Sequence, residues 1–312
     1  MKVHVIVDFS YIYYKYKFAL ESGRLKHLTA NVDMNGTNTT RDISIVYYCM
    51  NEIEGIRRGF EKQGHSVVTS VCFDMPSISR KQIADESSNS DGYKGGRKKS
   101  LDEDDFSDIR WVQRVLTQAG HNTYRVEGIE ADDLVRHLSI NSEDKFDYQI
   151  IYTSDKDLLI NITDKTQVMR HKAKKKSVLV TKENYVGYLK DEFGCIIPYN
   201  SIMLFLATKG DSADNVKGIS GFGPAAFQKY AEWLWKNGTD FENMTDYTFV
   251  ERTIKGSIEY LKSNQIEQAL DSLCLVRPMD LSGSGIDITY NESTKELREQ
   301  AYTPLGMVSN IP

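Results

Sequence analysis

Hydrophobic and polar positions along the chain alternate between two periods. Val3 to Val7 is a short β-branched run that stops at Asp8, the pattern of a buried strand. Phe9 to Ala19 then reads as a helix. Apolar residues recur at helical spacing between Asp42 and Gln63 (Ile45, Tyr48, Cys49, Ile53, Ile56, Phe60), and Gly64 follows as a stop. Ser66 to Phe73 predicts a second strand, closing on Asp74-Met75-Pro76. A polar stretch, Ser77 to Ser107, separates it from an amphipathic helix at Ile109 to Ala119 and a short strand at Thr123 to Val126. Ala131 to Ile140 predicts a helix, and Tyr148 to Thr153 a strand that ends in a turn at Asp155.

After Thr166 the alternation fades. Gln167 to Val180 reads as a hairpin around Lys172-Ala173-Lys174-Lys175-Lys176, and helices dominate from Lys182 onward. Ile202 to Ala207 leads into Gly210, and Gly218-Ile219-Ser220-Gly221-Phe222-Gly223-Pro224 is a tight glycine turn that opens a helix at Ala225 to Trp235 with its amides free. Beyond Leu281 the chain is rich in Ser, Gly and Thr, and a loosely ordered tail is expected. The sequence shows no internal repeat.

Strands alternating with helices imply an α/β fold around a central, mainly parallel sheet. Three regions follow: a first domain over residues 1–185, a helical subdomain over 186–280 and a tail over 281–312. Asp8, Asp74 and Asp155 each lie at or just past the C-terminal end of a predicted strand, the edge where open α/β sheets bind ligands. Sequence distance is therefore no obstacle to one shared rim.

Composition narrows the class. A hydrophobic content of 40% and a charged content of 27% over 312 residues suit a soluble globular protein. No apolar run reaches membrane-span length, and the first strand run is too short for a signal peptide, so a cytoplasmic protein without membrane contact is expected. Cys49, Cys72, Cys195 and Cys274 are scattered and the histidines lack metal-type spacing, which argues against zinc.

The acids are distributed unusually. Glu130-Ala131-Asp132-Asp133, Thr153-Ser154-Asp155-Lys156-Asp157 and Gly210-Asp211-Ser212-Ala213-Asp214-Asn215 place carboxylates one to three positions apart. Clustered carboxylates repel unless a cation lies between them, and hard divalent ions choose oxygen ligands completed by substrate phosphate. The formal charge of −5 does not exclude a nucleic-acid partner. With Asp8, Asp74, Glu130, Asp132, Asp133, Asp155, Asp157, Asp211 and Asp214 assigned to one site, 35 acids remain against 39 Lys and Arg, a remainder of +4.

These motifs, in this order, resemble those of the 5′ nucleases: flap endonucleases, bacteriophage 5′→3′ exonucleases and the N-terminal nuclease domain of bacterial DNA polymerase I. The strand ending in Asp8, Phe73-Asp74, Tyr93-Lys94-Gly95-Gly96-Arg97 and the three acidic stretches carry the resemblance from Val3 to Gly223, with no polymerase domain after them. The free-standing phage or bacterial form is the closer likeness.

The resemblance implies a PIN-like fold with a helical arch at about residues 77–107 and a helix–turn–helix, and a structure-specific nuclease acting on 5′ ends and flaps. It implies two Mg²⁺ or Mn²⁺ ions, the first among Asp8, Asp74, Glu130 and Asp132 with Asp133 supporting, the second among Asp155, Asp157, Asp211 and Asp214. Tyr93, Lys94 and Arg97 would meet DNA in the arch, Lys94 and Arg97 at the scissile phosphate. Gly95-Gly96 and the acidic Asp102-Glu103-Asp104-Asp105 depart from a stable arch helix. Gly218, Gly221 and Gly223 would approach duplex phosphates, and Val216 and Ile219 would hold K⁺ at the same turn. The implied partners are branched or nicked DNA or an RNA–DNA hybrid, with a polymerase or single-strand-binding protein nearby, met by a monomer. Two rivals share the fold: a DNA-structure binder without catalysis, and an RNA-cleaving PIN-like nuclease.

Plainer readings apply elsewhere. Tyr11, Tyr13, Tyr14 and Tyr16 suit core packing more than base stacking, and the Lys172 to Lys176 run suits a solvated tip as well as a phosphate contact. Trp111, Trp233 and Trp235 read as packing residues, and His4 as a strand residue rather than a ligand.

Overall fold

The computed structural model describes residues 1–34, 37–77, 80, 82, 84–85, 102–172 and 176–307. It contains two compact units. The first gathers Met1–Met75, Ser100–Ser154 and Leu281–Pro312, and the second Pro76–Lys99 and Asp155–Asp280. The chain thus divides after Ser154 rather than near residue 185, and its C-terminal segment belongs to the first unit.

β1 (Lys2–Asp8) has every residue from Val3 onward buried, as its Val and Ile content requires of a strand covered on both faces. It pairs in parallel with β4 (Ser66–Cys72) on one side and β6 (Tyr148–Thr153) on the other. β5 (Asn122–Tyr124) joins β4 in parallel, so β1 lies inside the order β5-β4-β1-β6. The register sets Asp8 level with Cys72, two residues before Asp74. The strands therefore deliver Asp8 and Asp74 to the same C-terminal edge.

Helices α1 (Phe9–Glu21), α2 (Ser44–Glu61), α3 (Glu103–Gln118) and α4 (Ala131–Ser142) belong to this unit. α3 starts well before Ile109 because Asp102 and Asp105 form a reciprocal capping box, and Glu103, Asp104 and Asp105 complement the positive helix end. Between α1 and α2 lies an unanticipated antiparallel hairpin, β2 (Thr29–Met34) with β3 (Thr37–Asp42). His4 is a strand residue as read, and it is buried: its ring hydrogen-bonds Ser70 Oγ at 2.8 Å and Ser142 Oγ at 2.9 Å. Tyr11 and Tyr13 are buried, as expected of core positions.

Over its described residues, to Met307, the segment beyond Leu281 is not loose. Asn291 N and Thr289 Oγ1 donate to Asn122 Oδ1 at 3.0 and 2.8 Å, and Asn122 Nδ2 donates back to Asn291 O at 3.0 Å. Helix α10 (Lys295–Tyr302), capped by Thr294, ends with Tyr302 buried and donating to Glu54 Oε1 at 2.6 Å. The segment is thereby pinned to the Asn122 side chain on β5 and to Glu54, a role that Ser- and Thr-rich composition conceals.

The second unit holds the expected hairpin, β7 (Thr166–Arg170) antiparallel to β8 (Val178–Val180). Five helices follow: α5 (Tyr185–Phe193), α6 (Ile202–Lys209), α7 (Pro224–Lys236), α8 (Tyr247–Gly256) and α9 (Ser263–Val276). α6 is buried from Ile202 to Thr208 and packs on α9. Trp233 is partly buried, but Trp235 is 73% exposed, so it is not the packing residue expected. It falls on the solvent side of α7, one residue past the buried Leu234.

Candidate functional site

In the first unit, Asp8 ends β1 and caps α1, its Oδ1 accepting from Ser10 N at 3.1 Å. Its Oδ2 accepts from Thr153 Oγ1 at 2.7 Å. Asp74 Oδ2 accepts from Ser10 Oγ at 3.1 Å, and its Oδ1 from Ala131 N at 2.8 Å. That last bond fixes the start of α4, where Glu130 is the N-cap and Asp132 and Asp133 form an acidic first turn. Glu130 and Asp133 are buried and Asp132 is partly exposed. Burial raises the Cys72 thiol pKa well above its ordinary value, and Asp8, Asp132 and Asp74 raise it further. Three carboxylates from three segments therefore converge on one strand end.

In the second unit, Asp155 Oδ1 accepts from Asp157 N at 2.9 Å, which turns the chain into a short 3₁₀ helix at Asp157–Asn161. Asp211 and Asp214 lie in a loop after α6, closed by paired bonds between Asp211 and Val216 at 2.8 and 2.7 Å. Asp211 Oδ1 also accepts from Ala213 N at 3.0 Å. One carboxylate oxygen from each of Asp157, Asp211 and Asp214 lies within 4.8 Å of the others.

Electrostatics follow from that crowding. Burial first, then the neighbouring Asp155, Asp211 and Asp214 against an opposing Lys156, push the Asp157 carboxyl up to about 8. Lys156 Nζ donates to Asp211 Oδ2 at 2.5 Å and stands 3.5 Å from Asp157 Oδ1. Burial works against the lysine's charge, and Asp157 and Asp211 more than offset it, raising its pKa. Asp157 Oδ1 is buried yet accepts no hydrogen bond from the described residues. An all-carboxylate donor set with such an oxygen fits a hard divalent cation.

The glycine turn is in the same unit, but most of its amides are engaged within the protein rather than free as expected. Gly218 N donates to Ser272 Oγ at 3.1 Å, Ile219 N to Thr208 O at 2.7 Å and Ser220 N to Gln268 Oε1 at 3.1 Å. Phe222 N and Gly223 N bond within the turn, and Pro224, the first residue of α7, has no N–H to offer. Ser272 and Gln268 belong to α9, so the turn is tied to that helix.

The structure brings Asp8, Asp74 and Asp132 together at Cys72, and Asp157, Asp211 and Asp214 into one cluster. Glu130 and Asp133 flank the first group, and Asp155 the second. Tyr93, Lys94 and Arg97 lie outside the described residues. Sequence reasoning missed Ser10, Thr153 and Lys156, the polar partners of these acids. Ser10, two residues after a capping Asp, carried a readable signal; Thr153 and Lys156 were inside the quoted motifs without a role.

Residues 3–191 match the family model described as 5′-3′ exonuclease, N-terminal resolvase-like domain. A 5′-3′ exonuclease of Buchnera aphidicola (from Schizaphis graminum) is 31% identical over 147 residues, 47% of this chain and 46% of its own length. A 5′-3′ exonuclease of Mycoplasmopsis pulmonis is 32% identical over 156 residues, 49% of this chain and 47% of the relative. The chain thus spans about half the length of these relatives. Among solved structures, bacteriophage T5 5′-exonuclease with bound zinc aligns with a TM-score of 0.57 at 15% identity, covering 98% of this chain and 94% of that one. A bacteriophage T5 flap endonuclease in complex with DNA and metal ions gives 0.57 at 14% identity, covering 99% of this chain and 100% of that one. At such identities the likeness is one of fold: a mostly parallel sheet flanked by helices.

Proposed function

We propose, because this chain belongs to the 5′-3′ exonuclease family through its N-terminal resolvase-like domain, that it is a divalent-metal-dependent 5′ nuclease hydrolysing DNA phosphodiesters at 5′ ends and flaps. The observation that carries the reading is the meeting of Asp157, Asp211 and Asp214 oxygens within 4.8 Å, a group whose mutual repulsion a divalent ion relieves. Asp8, Asp74, Glu130 and Asp132, with Asp133 behind them, would hold one Mg²⁺ or Mn²⁺. Asp155, Asp157, Asp211 and Asp214 would hold another. Such ions supply Lewis acidity, activating the attacking water and stabilising charge on the leaving oxygen.

The protein's own groups do the rest. Thr153 and Ser10 fix the carboxylates of Asp8 and Asp74, so the ligand oxygens are oriented before substrate arrives. Lys94 and Arg97, with Tyr93 beside them, would place positive charge against the scissile phosphate. Gly218, Gly221 and Gly223 would let backbone approach a duplex phosphate, with K⁺ at the carbonyls of Val216 and Ile219.

A 5′-labelled flap, a nicked duplex, single-stranded DNA and a matched RNA flap, each digested with Mg²⁺, test the reading. The flap should be cut, chelation should stop it, and Asp157→Asn should slow cleavage by roughly two orders of magnitude or more while duplex binding persists. Undiminished cleavage by that variant would remove the assigned site. Faster cutting of the RNA flap would favour an RNA nuclease.

A further inference from the structure

We propose that Lys156 is a tethered counter-ion of the second acidic group, which a divalent cation must displace from Asp211 on binding. The inference rests on the reading that Asp157, Asp211 and Asp214 receive such a cation. Lys156 lies between Asp155 and Asp157 in sequence, and its ammonium reaches both Asp211 and Asp157. Nζ is 2.5 Å from Asp211 Oδ2 and 3.5 Å from Asp157 Oδ1. The side chains of Lys156, Asp157 and Asp211 are 17%, 22% and 5% exposed, so this is no solvent-screened surface pair.

The conflict is one of shared ligands. A divalent ion binds carboxylate oxygen at about 2.0–2.6 Å, and Lys156 already engages two of the candidate carboxylates, Asp211 at hydrogen-bond range and Asp157 at ion-pair range. Two cations so close repel strongly in a partly buried site. An ammonium has three donors, no acceptor and a flexible stem, so it can leave without unfolding its surroundings.

Two consequences follow. Before metal arrives, Lys156 offsets part of the carboxylate repulsion and keeps Asp211 beside Asp157. A monovalent ion gains nothing by replacing a cation of equal charge that is covalently held in place. A divalent ion brings twice the charge and does gain. Lys156 therefore filters the second group against Na⁺ and K⁺ at the expense of affinity for Mg²⁺.

Mn²⁺ titration of the metal-free full chain, followed by the electron-paramagnetic signal of free Mn²⁺, tests this without any cleavage assay. Replacing a charge-assisted hydrogen bond is a matter of roughly tenfold in affinity or more. Lys156→Met should therefore bind Mn²⁺ at least about tenfold tighter at the class of site that Asp157→Asn removes. Lys156→Arg should stay near the parent value. Equal affinity in Lys156→Met and the parent chain would overturn the proposal. Parent-like Mn²⁺ binding in Asp157→Asn would instead sink the site reading and this inference with it. A second measurement needs no variant: acylation of Lys156 in the native chain, read by mass spectrometry with and without MgCl₂. Faster labelling in Mg²⁺ supports displacement, and an unchanged rate overturns it.

Discussion

Two glycines of one loop separate backbone strain from steric conflict. Gly218 and Gly221 both adopt left-handed conformations, with φ of +66° and +74°. An alanine at either position incurs about 1 kcal/mol for that conformation. At Gly221 nothing lies within 4 Å of an added Cβ. At Gly218 the same atom would sit 2.3 Å from Gly210 N and 2.4 Å from Lys209 C, main-chain atoms that cannot rotate away. Forcing them apart adds about 1–3 kcal/mol, the range for overpacking. For a unit of this size each kcal/mol shifts Tm by about 2–4 °C. Gly221→Ala should therefore lower the melting temperature by about 2–4 °C, and Gly218→Ala by roughly 4–16 °C. The second substitution also pries apart the segment that closes on itself through Asp211 and Val216. Calorimetry paired with Mn²⁺ titration should show Gly218→Ala losing the affinity of the second acidic group and Gly221→Ala keeping it. Equal melting shifts, or parent-like Mn²⁺ binding in Gly218→Ala, would refute this account of the loop.

Two further predictions concern the first unit. Burial, aided by Lys2 and opposed by a hydrogen bond with Gln149, lowers the His4 pKa to about 4. A folded pKa below the unfolded value of about 6.5 means the stabilisation is complete above that pH and is lost as pH falls toward 4, about 3 kcal/mol in all. Urea midpoints at pH 7.5, 6 and 4.5 should fall more steeply in the parent chain than in His4→Gln, and parallel curves would contradict a buried neutral ring. Tyr302→Phe removes a hydrogen bond to the Glu54 carboxylate, which His121, Arg57 and Tyr302 hold at about 2 against the opposing effect of burial. Its cost should be about 1.5–3 kcal/mol at neutral pH and should shrink as pH falls from 4.5 toward about 2, where the folded carboxyl takes up its proton. A neutral-pH loss below about 0.5 kcal/mol would mean that α10 is not anchored through this residue.

What the sequence made legible, and what it hid, divides along the range of the interaction. β1, β4 and β6 were readable because each is a short segment rich in β-branched and aromatic residues, and an acid follows at or within two residues of its end. The hairpin at Thr29–Met34 and Thr37–Asp42 had a cue in Asn35-Gly36, a dipeptide suited to a two-residue turn, but its Thr- and Asn-rich strands lack the apolar alternation that marks half-buried strands. The C-terminal segment failed for a related reason. It is ordered by Thr289, Asn291 and Tyr302, whose polar atoms meet partners more than 160 residues away, and composition registers such residues only as solubility.

The acidic groups show the same division at closer range. Their carboxylates were legible because like charges one to three residues apart oppose folding unless something compensates them. The compensation was not legible. Thr153 reaches Asp8 across the β1–β6 pairing, and Lys156 bonds Asp211, more than fifty residues away in the chain. Spacing identifies which residues need a counter-charge, but only the packed chain determines which cation or hydroxyl reaches them first. For Lys156 that order is decisive, because a lysine given no role in the sequence reading pairs, in the fold, with carboxylates assigned to a metal.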